Sequence, residues 1–160
     1  MRGRLKSYRI TGGSITVTAR SSIHDTRAVW SRASGELAVD PGNPAAGASA
    51  EIRVDMREFD AGDRLKNWKL RSDLKPDEHP TATFVLDALD DVVRGVDGIT
   101  RAKARGRLSW RGRTVALTAG GEGALGEDTL TARARFELDV RDLGVSPPRV
   151  LMFKVESVVG

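Results

Sequence analysis

The sequence predicts an all-β protein, an antiparallel sandwich or barrel, and three observations carry that expectation. Apolar and polar residues alternate with period two through many short segments, the mark of half-buried strands. Turn chemistry separates the segments at Gly12-Gly13, Pro41-Gly42-Asn43-Pro44, Asp97-Gly98, Arg111-Gly112 and Gly120-Gly121. Each segment has a single apolar face, so the sheet must close on itself or on a second sheet.

In chain order, alternation runs through residues 14–20, 35–40, 50–57, 81–88, 102–110, 114–119, 130–139 and 150–156. Ala50, Ile52, Val54 and Met56 share one face, against Glu51, Arg53, Asp55 and Arg57. Leu130, Ala132, Ala134, Phe136 and Leu138 do the same further on. One hairpin can be checked internally. If Arg111-Gly112 is a two-residue turn, Leu108 faces Val115 and Gly106 faces Leu117 inside, while Arg107 and Arg105 face Ala116 and Thr118 outside.

Residues 60–74 break the pattern. Leu65, Trp68, Leu70 and Leu74 are spaced for a helix, with Asp60 as N-cap, Asp63 in the first turn and Pro76 ending it. A second helical turn is expected over 142–146, before Pro147-Pro148. No repeat or linker interrupts the chain, so residues 1–160 read as one domain.

Composition narrows the function. With 39% hydrophobic and 30% charged residues the chain suits a globular protein rather than a disordered one. The absence of cysteine excludes disulfides and thiolate chemistry. The start, Met1-Arg2-Gly3-Arg4-Leu5-Lys6, is basic but lacks an apolar core after it. The expected location is therefore the cytoplasm, or the periplasm or outside if a signal has been trimmed. His24 and His79 stand in no metal-ligand spacing and read as surface residues. The carboxylate pairs Asp90-Asp91 and Glu127-Asp128 read as solvated loop charge, and Gly120-Gly121-Glu122-Gly123 as a flexible hairpin loop. No nucleophile elbow, P-loop or dinucleotide fingerprint is present. Neither catalysis nor a cofactor or metal is expected.

The net charge is +4. Arg101, Lys103, Arg105 and Arg107 form a stripe on one outward face, read as a solubilising surface. No aromatics interleave to stack bases, so specific nucleic-acid binding is not expected, and weak contact with an anionic membrane ranks ahead of it. Inside, Ala102, Ala104, Gly106, Ala119, Ala132 and Ala134 leave room for a tunnel. Leu108, Trp110, Val115, Leu117, Phe136 and Leu138 flank it, and Ile52, Val54, Met56, Phe84 and Leu86 line the opposite wall. Trp68, Leu70 and Leu74 make the helical segment either a lid over the mouth or a plug in the barrel end, and both readings stay open.

Several motifs resemble those of the YceI-like family of polyisoprenoid-binding proteins. Ser14-Ile15-Thr16-Val17-Thr18-Ala19-Arg20 resembles the opening strand. Leu70-Arg71-Ser72-Asp73-Leu74, then His79-Pro80-Thr81-Ala82-Thr83-Phe84, resembles the central signature. Leu108-Ser109-Trp110-Arg111-Gly112 resembles a family hairpin, and Asp139-Val140-Arg141-Asp142-Leu143-Gly144-Val145 a late motif. The resemblance implies a lipocalin-like extended antiparallel β-barrel of about eight main strands with a helical insertion near residues 60–75. It implies non-catalytic binding, carriage or sequestration of a long-chain isoprenoid or other apolar lipid, held by about 0.8 kcal/mol per buried methylene. The cavity would be lined by Ile52, Val54, Met56, Trp68, Leu70, Leu74, Phe84, Leu86, Ala104, Leu108, Trp110, Leu117, Ala134, Phe136 and Leu138. Arg71 would pair with Asp142 as a rim anchor. The family's polar set departs here: its histidine before Leu-Arg-Ser falls within Lys66-Asn67-Trp68-Lys69, and its His-Gly hairpin is Arg111-Gly112. A structural or stress-response module with a filled core and a protein partner is the alternative, and a homodimer is left open.

Overall fold

The computed structural model of the protein describes residues 5–19, 26–126, 129–143 and 150–159. The elements run β1 (Lys6–Ala19), β2 (Thr26–Trp30), β3 (Ala33–Val39), β4 (Ser49–Asp55), β5 (Phe59–Asp60), α1 (Arg64–Leu74), β6 (Thr81–Arg94), β7 (Thr100–Trp110), β8 (Arg113–Leu125), β9 (Leu130–Asp139), a 3₁₀ turn (Val140–Leu143) and β10 (Val150–Val159).

Eight strands form a closed antiparallel ring in the order β10-β9-β8-β7-β6-β4-β3-β1, with β1 pairing back onto β10. This matches the expected barrel and strand number. β1 divides one of its edges: Lys6 to Arg9 pair with β3, and Ile15 to Ala19 pair with β2. β2 and β5 form a short ribbon outside the ring, and neither strand was expected. The hairpin register holds, with Leu108 opposite Val115, Gly106 opposite Leu117, Arg107 opposite Ala116 and Arg105 opposite Thr118. Arg111 and Gly112 have φ of 56° and 73°, the doubly positive pair that a tight hairpin turn matching strand twist demands.

Three expected loops are strand. Gly12-Gly13 lies inside β1, next to a register shift between Ile10 and Gly12. Gly120 to Gly123 run through β8, paired with β7 on one side and β9 on the other. Asp90 and Asp91 lie in β6 at a bulge, where Asp91 takes φ of 52° and the register shifts before Val93. In β1 and β6 the glycine or acid sits at an irregularity within a long barrel strand, and in β8 the glycines continue a regular ladder.

The helix starts later than expected. Asp63 is the N-cap, accepting from the Lys66 amide at 2.8 Å. Asp60 accepts instead from the Gly62 amide in the turn ahead of it. Lys75 closes the helix in the left-handed conformation before a fully buried Pro76. The second helical turn is the 3₁₀ segment Val140–Leu143, earlier than expected. Residues 144–146 of that expectation, with His24 and Glu127-Asp128, lie outside the described residues.

The interior has two parts. At one end Val54, Leu74, Trp110, Leu138 and Leu143 pack with Trp30 and Val17. At the other, Tyr8, Ile10, Val39, Leu86 and Leu130 form a second cluster. α1 packs on the first end through Leu70 and Leu74. Leu74 is buried and Leu70 packs on that core, so the segment is a plug and not a lid. Trp68 and Leu65 remain 69% and 73% exposed. The reason is helical phase: at about 100° per residue, Trp68 stands roughly 160° from Leu70.

Candidate functional site

At the end opposite α1 the barrel encloses an apolar cavity of about 220 Å³. Its floor is Phe84, Leu86 and Ile52, and one wall is built of small residues from three adjacent strands: Ala102 and Ala104, Gly121 and Gly123, Ala132 and Ala134. Ile10, Leu37, Val39, Ala50 and Leu89 add to the lining, and Pro41, Pro44, Thr100, Leu125 and Leu130 frame the mouth. Gly106 sets the floor. A Cβ there would overlap the Val85 carbonyl and lie 2.5 Å from the Phe84 ring, so its absence lets Phe84 lie across the barrel. The expected tunnel is thus a one-ended cavity. Gly106 is filled by Phe84, and Ala119 is 3% exposed and outside the lining.

Of the residues expected to line a cavity, Ile52, Phe84, Leu86, Ala104 and Ala134 do so. Val54, Leu74, Trp110 and Leu138 belong to the plug core, with Met56, Leu70, Leu108 and Phe136 packed against it. Leu117 is buried away from the cavity, and Trp68 is in solvent. Period-two alternation identifies which face a side chain takes but not its height along the barrel axis. Strands here run from the cavity to the plug, so half of their inward residues serve each. The lining residues missed by the sequence reading include Gly121, Glu122 and Gly123 of β8, read as a loop, and residues of β1, β3 and the loop after β3. For β3 the signal was present in the alternation of Leu37 and Val39.

The expected Arg71–Asp142 pair is not made. Arg71 stacks over the Phe59 ring at 5.0 Å and donates to the Arg57 carbonyl at 3.1 Å, while Asp142 is exposed in the 3₁₀ turn. Helical phase turns Arg71 toward β5. The plug is tied by other groups. Arg111 Nη1 donates to the Leu74 carbonyl at 2.6 Å, Trp110 Nε1 to the His79 carbonyl at 2.8 Å and Trp30 Nε1 to the Met56 carbonyl at 3.2 Å. Asn67 Oδ1 accepts from the Ala61 amide at 2.6 Å.

Outside the wall, the basic stripe is neutralised by β6 and its hairpin. Arg101 pairs with Asp97 at 3.0 Å, Lys103 with Asp91 at 3.3 Å, Arg105 with Asp90 at 3.0 Å and Arg107 with Asp87 at 2.9 Å. The Arg101 hydrogen bond holds the Asp97 carboxyl below its usual range, and Arg57 does the same for Asp55. Among the described residues no group of three or more histidines or carboxylates converges as a metal site.

A closed antiparallel barrel with a plugged end and one apolar cavity defines the lipocalin-like class. Within that class the chain belongs to the YceI-like family: the model of the YceI-like domain matches residues 8–159. No curated protein matches the sequence. Among solved structures, Burkholderia cenocepacia BcnA superposes with a TM-score of 0.76 at 19% identity, over 91% of this chain and 95% of that one. A Saccharophagus degradans polyisoprenoid binding domain, implicated in plant cell wall breakdown, gives 0.71 at 9% identity, over 95% and 97%. The Campylobacter jejuni YceI protein gives 0.65 at 16% identity, over 87% and 88%. At these identities the likeness speaks for the fold.

Proposed function

We propose that the protein binds one apolar lipid, of isoprenoid-like chain chemistry, in the barrel cavity and carries or sequesters it without catalysis. The observation that carries this reading is the cavity itself, whose floor and wall are hydrocarbon and backbone, with Glu122 and Arg133 the charged residues of its lining. Such a site favours a chain over a polar substrate, because a buried polar group without a partner is costly. Family membership supports it, and so does the polyisoprenoid-binding description of the Saccharophagus degradans domain. The volume exceeds the roughly 150 Å³ at which a dry apolar cavity already admits benzene.

Native mass spectrometry and uptake of a fluorescent isoprenoid test the reading. Wild type should retain or take up one chain. Ala104→Trp with Ala134→Phe, both on the cavity wall, should abolish uptake while the circular dichroism spectrum and cooperative unfolding persist. Uptake undiminished in that folded double variant would overturn cavity binding, and a wild type that takes up no apolar probe would favour the filled-core module acting through a protein partner.

A further inference from the structure

We propose that the open end of the barrel is a docking surface for an anionic lipid bilayer, and that the bound chain passes directly between bilayer and cavity. The inference rests on the lipid-binding reading above and adds where the lipid comes from.

The start of β1, the loop between β3 and β4, the β6–β7 hairpin and the end of β8 meet around the cavity mouth. Large apolar side chains stand exposed on them: Leu5 at 55%, Val93 at 61%, Leu125 at 45%, and Val96 fully in solvent. The only other large exposed hydrophobics among the described residues are Leu65 and Trp68, on α1. Val96 is held outward by a built turn, in which the Gly95 amide donates to the Ile99 carbonyl, the Gly98 amide to the Gly95 carbonyl and the Ile99 amide to Asp97. Leu125 both lines the cavity and is exposed on the rim, so the apolar surface is continuous from inside to outside.

Cavity size makes the same demand. At about 220 Å³ it falls below the roughly 300–1,000 Å³ usual for sites that enclose a drug-sized ligand. A long chain fits only in part, and the remainder leaves through the mouth. In water that remainder is exposed hydrocarbon, whereas against a bilayer it stays in the acyl region.

Charge selects the lipid. Arg94, at the end of β6, donates to the Pro41 carbonyl on the rim and pairs with no acid among the described residues. Among the described residues the acids at this end are already engaged: Asp97 by Arg101, Glu122 by Arg101 and Arg133, Asp91 by Lys103, and Asp40 by the Gly42 amide. Among the described residues the rim is therefore apolar with Arg94 as an unpaired cation, the combination that anionic headgroups attract.

The test uses the full chain and vesicles of phosphatidylcholine, alone or with about a third phosphatidylglycerol. The variant is Leu5→Ser with Val93→Ser and Val96→Ser, none of which lines the cavity. Wild type should sediment with the anionic vesicles, less so as salt rises. The triple variant should bind them at least about tenfold more weakly and draw a fluorescent isoprenoid from them about tenfold more slowly, while both take up detergent-dispersed probe equally. Equal sedimentation of variant and wild type would overturn the proposal. So would a wild type that ignores vesicles and runs as a dimer that the variant dissociates, which would make the rim an interface between copies. Rim-dependent sedimentation by a protein that takes up no probe from any source would uphold the docking surface and sink the lipid-binding reading alone.

Discussion

At Arg111 a backbone requirement and a charge meet. The residue occupies the first position of the β7–β8 turn with positive φ, and its guanidinium caps the last carbonyl turn of α1 while lying 5.5 Å over the Trp110 ring. A cation at a helix C-terminus is stabilised by the orphan carbonyls and the helix dipole. Arg111→Ala should lower stability by about 1–2 kcal/mol, seen as a fall of several degrees in thermal midpoint, with faster amide exchange in α1 than in β7. An exchange rate unchanged in α1 would remove Arg111 as the tether. Trp68 predicts the reverse. With its ring in solvent, Trp68→Ala should shift the unfolding free energy by no more than about 0.5 kcal/mol, and the lost fluorescence should be the component most accessible to acrylamide.

Among the elements, the β7–β8 hairpin was fully legible because every residue from Gly106 to Leu117 obeys one period around one two-residue turn. β2 and β5 were not, since five and two residues are too few to establish a period. The glycines of β1 and β8 read as breaks because glycine is rare in strand interiors. In β8 Gly121 and Gly123 instead keep the cavity wall bare. The helix was visible as a change of period, but its four apolar residues were read as one face when they occupy two. The ladder between β6 and β7 was partly hidden because two of its acids, Asp90 and Asp91, were placed in a loop. These pairs are exposed, so screening leaves each worth little. Their pH dependence still has a definite sign. Asp97 and Asp55 are held below the usual carboxylate range by Arg101 and Arg57. Their contribution is present above the unfolded carboxylate value of about 4 and is lost as pH falls through the lower folded values. Urea midpoints should stay level from about pH 5 to 8 and decline below about 4. Stability that rises on acidification through this range would contradict the assignment.

For the whole molecule, the division into plug and cavity predicts that truncations at the two ends differ. Leu74→Ala opens a hole in the plug core and should cost about 2–4 kcal/mol. Leu86→Ala enlarges a site that is already partly empty and should fall at the low end of that range. Paired urea titrations compare them. Equal losses would mean that both ends are packed alike.

The barrel closes through β1 and β10, where Ile10 meets Val159 and Ala19 meets Leu151, partners separated by most of the chain. Such pairings delay folding, since a long loop must be ordered before they form. A chain still leaving the ribosome has the hairpins but no closed ring, and it shows bare edges on β1 and β9 that invite pairing with other chains. The cavity therefore comes into being last. In refolding, the local β7–β8 turn should bring Trp110 into its native surroundings early, and an apolar dye should find its pocket only in the final, slowest phase.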